Sequence, residues 1–212
     1  MAIVNDDKKF IFFHLYKCGG TSLRTLLNEN IKGSQEIISG HALPRDVKYY
    51  YYYRGAKYQK IFDKMFKFTI VRNPFDFLLS TYHYAIADTT HFWHSKVINM
   101  DFNDFPMFYM KQMEKDNAPD LKYVGKNKIT TPYEFIRDYD GKVIVDFVGK
   151  LENINHDMNL ILNKIGMPAI EMPKENINAN NNKPYQEVYN QKSRVFVEQH
   201  FAKDLEYFGY QF

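Results

Sequence analysis

At 212 residues with 45% hydrophobic content, the chain is long enough for one domain with a sizeable buried core. A formal charge of +3, without any long lysine or arginine block, excludes a nucleic-acid platform. One cysteine excludes an internal disulfide and fits a reducing, cytoplasmic compartment; the polar start through Lys9 and the short apolar run Phe10–Phe13 provide neither a signal-peptide core nor a membrane span, so no membrane partner is expected.

The coarse element order is a strand at 10–15, a helix at 21–31, a short strand near 36–39, a strand at 67–72, a helix at 74–87 and a helical segment around 103–115. A strand at 143–148 and helices at 152–165 and 185–208 follow. Strands alternating with helices argue for a single α/β domain over 1–212, with a central parallel sheet covered by helices in three layers.

The first strand runs directly into Lys17-Cys18-Gly19-Gly20-Thr21-Ser22 and then a helix. Glycines let backbone approach a phosphate, the turn aims N–H groups inward, Thr21 and Ser22 add hydroxyl donors, and the helix start adds the positive end of its dipole. Lys17 then meets the anion as a point charge, and Cys18 reads as a small residue in a tight turn. A Walker A loop places its lysine after the glycines, whereas here it precedes them, which disfavours a nucleotide triphosphatase. Taken alone, the string is equally an ordinary strand-to-helix connection with a solvated lysine.

Next comes Ile37-Ile38-Ser39-Gly40-His41-Ala42-Leu43-Pro44, where His41 follows a β-like run and Gly40 allows close backbone approach. The five tyrosines Tyr49–Tyr53, with Lys48, Arg54 and Lys57, form either an aromatic, cationic rim for a sugar or a two-sided packing segment; consecutive residues cannot all face one ligand. Tyr51 is the representative of the rim reading.

A second strand-to-helix passage follows at Phe68-Thr69-Ile70-Val71-Arg72-Asn73-Pro74. Asn73 suits the N-cap and Pro74 the first helical position, and Phe75, Leu78, Leu79, Tyr82 and Ile86 build one apolar face. Arg72 falls at the carboxyl end of its strand, where ligands of open α/β sheets collect. Residues 87–132 have few clean signals and several aromatics, including Trp93. They form either an acceptor-binding helical insertion or a packed subdomain, with His94 an acceptor-site candidate. His83, His91 and His94 match no zinc spacing, so no metal is expected. The asparagine-rich stretch 176–182 is a loop before the last helix.

Together the two passages resemble the P-loop sulfotransferases that use 3′-phosphoadenosine 5′-phosphosulfate (PAPS), especially the carbohydrate O-sulfotransferases of the heparan and chondroitin group. Phe147-Val148-Gly149-Lys150-Leu151-Glu152-Asn153-Ile154 and the ending Phe201–Tyr210 are similar too. The resemblance implies the P-loop sulfotransferase fold, with Lys17–Ser22 as the loop for the 5′-phosphosulfate and Arg72 with Ser80 as the pair for the 3′-phosphate. It also implies a loop closing over the nucleotide, to which Asn178 and Lys183 belong, and PAP as the product. His41 resembles the catalytic histidine of the heparan sulfate 2-O-sulfotransferases; the alternative is a hydrogen-bonded turn histidine.

Sulfuryl transfer to an alcohol needs a base, an in-line approach and charge stabilisation on the leaving oxygen; it needs neither a metal nor a covalent intermediate. His41, with an ordinary pKa near 6.5, supplies the base at neutral pH, and Lys17 serves the leaving phosphate. The acceptor is expected to be a carbohydrate or another hydroxyl compound, with Tyr51, Trp93 and His94 in its pocket. A small-molecule or nucleotide kinase and a non-catalytic PAP-binding module are the competing functions.

Overall fold

The computed structural model describes residues 1–38, 42–114, 131–170 and 183–212. His41, Asn178 and residues 115–130 of the expected insertion lie outside them. In chain order the elements are β1 (Ala2–Asn5), β2 (Phe10–Phe13), α1 (Gly20–Asn30), β3 (Gln35–Ile37), α2 (Pro44–Tyr53), α3 (Ala56–Lys64) and β4 (Phe66–Val71). There follow α4 (Pro74–Ala87), α5 (His94–Val97), α6 (Phe105–Met113), α7 (Pro132–Phe135), β5 (Phe147–Lys150), α8 (Ile154–Lys164), α9 (Gln191–His200) and α10 (Ala202–Phe208). The described residues fall into two compact units, one within Met1–Val71 and Glu134–Ile177, the other within Arg72–Tyr133 and Asn178–Phe212.

The first unit holds a five-stranded sheet in the order β3-β1-β2-β4-β5, and the fold is α/β with this sheet flanked by helices. The sheet is mixed where an all-parallel one was expected: β2, β4 and β5 run parallel, but β1 is antiparallel to both β2 and β3. The reason is the turn Asp6–Lys9, too short for a parallel crossover, so it closes a hairpin. Within it the Lys8 N–H donates to Asn5 Oδ1 at 2.7 Å. That cluster of charges belongs to the turn, while Ala2, Ile3 and Val4 are buried strand residues.

Phe10 and Phe12 of β2 point into one core with Ile3, Phe68 and Ile70. Leu23, Leu26, Leu27 and Ile31 from the α1 end of the chain, and Met158, Ile161, Leu162 and Ile165 from α8, complete it at helical spacing. By strand alternation Ile11 and Phe13 face the other way, and both are also fully buried, which explains the unbroken apolar run.

β5 begins later than the expected 143–148. Asp146 N–H donates to the Lys67 carbonyl at 2.7 Å, and the Asp146 carboxylate accepts from Lys67 N–H at 2.8 Å, which pins the chain at the entry to the ladder that begins with Phe147 opposite Phe68. At the other end of β5, buried Asp157 accepts from the Lys150 backbone N–H at 2.7 Å and from Asn153 Nδ2 at 3.1 Å, fixing the corner into α8. Asp157→Ala removes both acceptors. A loss of about 1.5–3 kcal/mol is expected, the worth of hydrogen bonds to a charged group, read as a lower urea midpoint; an unchanged midpoint would refute this role for the carboxylate.

The second unit is helical and aromatic. Asn73 caps α4, its Oδ1 accepting from Phe75 N–H at 3.1 Å, and its Nδ2 donates to the Tyr185 hydroxyl at 3.1 Å and the Gln211 carbonyl at 2.8 Å. Fully buried Phe75 meets the rings of Tyr185, Tyr189 and Phe212. The expected helix 185–208 is broken into a 3-10 turn, α9 and α10, with buried Phe201 at the break. No helix among the described residues is long and apolar enough to cross a membrane.

Candidate functional site

The carboxyl ends of β2 and β4 lie at the same edge of the sheet, since the strands are parallel neighbours with Phe13 opposite Thr69. Thr69 Oγ1 donates to the Phe13 carbonyl at 2.7 Å, which pins the end of β2 before the chain turns. Residues Tyr16–Gly19 form that turn. Lys17 takes φ 56° and Gly19 φ 73°, so two left-handed residues flank Cys18 in a tight turn.

Gly19 is the N-cap of α1, without a side-chain cap, and the first turn of α1 has no acidic residue. No protein carboxylate in that turn therefore offsets the positive end of the helix dipole. Cys18 and Ser22 are buried, Thr21 is exposed, and Lys17 is partly exposed. Space here is closely filled: a Cβ on Gly19 would lie 2.6 Å from Leu151 Cδ1, and one on Gly20 would lie 1.8 Å from His14 Cδ2 and 1.9 Å from Nε2. The His14 ring, stacked on Phe12 at 6.3 Å, covers the first residue of α1. His14 reads from sequence as a core-facing strand residue; no spacing rule announces a contact six residues down the chain through a turn.

Arg72 directly follows the last residue of β4 and opens the second unit. Its Nε donates to Asp76 Oδ2 at 2.7 Å, which orients the guanidinium along the start of α4. Buried Ser80 lies one further turn along the same helix, so Arg72, Asp76 and Ser80 follow one another at intervals of four. Asp76 is a residue that the motif reading missed, although its i+4 spacing from Arg72 is visible in the sequence.

The remaining candidates fall as follows. Tyr51 is buried, packs on Phe62 at 5.7 Å between ring centres, and burial pushes its phenol up to about 12. Trp93 is buried among Phe105, Phe108 and Tyr109, and His94 Nδ1 lies 3.2 Å from the Ala85 carbonyl. Burial lowers the pKa of His83. Lys183 is exposed. Ile38, the last described residue before 39–41, holds φ 54°, a region that β-branched side chains rarely adopt. Among the described residues no group of three or more His, Cys, Asp or Glu side chains is arranged to hold a metal ion.

A family model described as "Sulfotransferase family" matches residues 1–211 of the chain. No curated protein and no solved structure matches it.

Proposed function

Because the chain belongs to the sulfotransferase family, we propose that it moves the sulfuryl group of PAPS to a hydroxyl of a carbohydrate acceptor. The observation that carries the donor assignment is the Tyr16–Gly19 turn: a lysine and a glycine in left-handed conformations, closing onto a helix start that no side chain caps. Gly19 and Gly20 themselves are required by packing, since added Cβ atoms there would collide with Leu151 and His14.

In this reading the N–H groups of the turn and Lys17 hold the 5′-phosphosulfate, and Arg72 with Ser80 holds the 3′-phosphate. Lys183 and Asn178 belong to the segment that closes over the nucleotide. His41 takes the proton of the acceptor hydroxyl as its oxygen bonds to sulfur; the bond from sulfur to the bridging phosphate oxygen breaks, and Lys17 stabilises the charge that PAP carries away. Strained Ile38 beside the His41 segment supports a working role for that stretch, because such strain persists where surrounding structure imposes it.

A thermal-shift panel of PAP, ADP, ATP and GTP tests the donor class. PAP at a hundredfold excess over its Kd is expected to stabilise by about 2.7 kcal/mol, and a preference for ATP would favour a kinase. Arg72→Ala is expected to weaken PAP about tenfold or more, as for a lost charge-assisted contact, and to spare adenosine 5′-phosphosulfate, which lacks the 3′-phosphate. Equal losses for both nucleotides in calorimetry would remove Arg72 from the 3′-phosphate site.

A further inference from the structure

We propose that the outer face of α2 is a sugar-stacking subsite for an acidic oligosaccharide, with Tyr49, Tyr50 and Tyr53 as platforms and Arg54 as the anion contact. Helical geometry splits the tyrosine run. Tyr51 turns inward, Tyr52 donates to Asp63 Oδ1 at 2.8 Å, and Tyr49, Tyr50 and Tyr53 are left 49%, 43% and 96% exposed. With Asp46, Tyr52 and Arg54 they line an open concavity of about 660 Å³, within the range of small-ligand sites.

Two of the platforms, Tyr49 and Tyr50, are braced before any ligand arrives. Tyr49 leans on Tyr139 at 5.4 Å, and the Arg45 guanidinium lies 4.8 Å from the Tyr139 ring centre. Arg54 donates to the Tyr50 hydroxyl at 3.1 Å while stacking 3.9 Å from the Tyr58 ring centre. Groups already held in place lose little entropy on binding.

The composition of the lining selects the occupant. Four tyrosines supply most of it, so the surface offered to an occupant is mainly ring face, with Arg54 and Asp46 the charged residues of the lining. A sugar offers C–H faces to the rings and hydroxyls or a carboxylate to Arg54. Burial raises the pKa of Asp46, which adds a hydroxyl-binding carboxyl within the lining. Arg54, Lys57 and Lys60 are all exposed, so an acidic sugar is favoured over a neutral one.

α2 starts three residues after His41, and Tyr53 lies nine residues further on, about 14 Å along the helix axis. Contacts at that remove suit an oligosaccharide and not a single sugar. The role as an acceptor subsite rests on the carbohydrate reading above, but its detection needs neither donor nor turnover.

Calorimetry and saturation-transfer NMR on the full chain test it, with hexasaccharides of hyaluronan and unsulfated chondroitin, neutral cellohexaose and free glucuronic acid as probes. Binding of an acidic hexasaccharide in preference to cellohexaose and to the monosaccharide is expected. Tyr53→Ala should raise its Kd about three- to tenfold, the worth of one aromatic contact, and Tyr53→Trp should restore it. Arg54→Gln should erase the preference for acid. Because Tyr53 is almost wholly exposed, its variants are expected to keep the melting temperature of the parent. Failure of both acidic hexasaccharides to bind, or an effect of Tyr53→Ala confined to self-association in sedimentation, would overturn the subsite. PAP binding is measured in parallel: PAP without glycan refutes the subsite alone, and glycan without PAP refutes the donor assignment alone.

Discussion

His41→Ala is expected to lower turnover about 10²–10⁴-fold, the usual worth of a positioned base, while leaving PAP affinity close to that of the parent. The contrast with Lys17→Ala carries the argument. Lys17 sits in the turn proposed to receive the phosphosulfate, so its loss should weaken PAP and slow transfer together. A base touches only the acceptor proton, so its loss should appear in kcat with PAP binding intact. Single-turnover assays with radiolabelled PAPS, alongside PAP calorimetry, separate the two. Near-normal turnover of His41→Ala on the true acceptor would move the base elsewhere, with His94 next to be tried. Transfer to phenols or tyrosine peptides, with none to glycans, would overturn the acceptor class and leave the donor site standing.

The second large effect concerns Gly20 and changes sign with its neighbour. In the parent, Gly20→Ala drives a methyl to 1.8 Å from the His14 ring, so His14 must leave its stack on Phe12 or the start of α1 must shift. Overpacking of this kind costs about 1–3 kcal/mol, and a shifted α1 start misplaces the N–H groups of the proposed cradle, so PAP affinity should fall at least about tenfold, which is 1.4 kcal/mol. In a His14→Ala background the obstruction is gone. Gly20 has no left-handed φ to protect, and alanine is the better helix residue by about 0.5–1 kcal/mol, so the same substitution should stabilise there. The double-mutant cycle in urea reads this reversal directly. Additive effects would mean that His14 does not set the space above Gly20.

What was legible in the sequence follows chemical contrast. Lys17 through Ser22 stand out because glycines and hydroxyls interrupt an apolar strand, and the structure places them in one turn at the start of α1. Asn73 and Pro74 announce the start of α4 for the same reason, and the Asn73 cap is present. The Asp6–Lys9 charges misled in the opposite direction, hiding a hairpin by making its turn look like a polar tail. Tyr49 through Tyr53 carry no contrast at all: five identical residues have no period, and only α2 itself decides that Tyr51 is buried while Tyr53 is not. The contact between His14 and Gly20 is a matter of tertiary space and leaves no trace in spacing.

The left-handed backbone of Lys17 has a consequence for anyone who would make this protein sturdier. A φ of 56° suits glycine or asparagine far better than lysine, so a search guided by folding stability alone would nominate position 17 for replacement early. The substitution that relaxes the turn also removes the cation at its mouth. With Lys17 in its proposed role, robustness and competence pull in opposite directions at this residue, and improvement of the one has to be sought in the remainder of the chain.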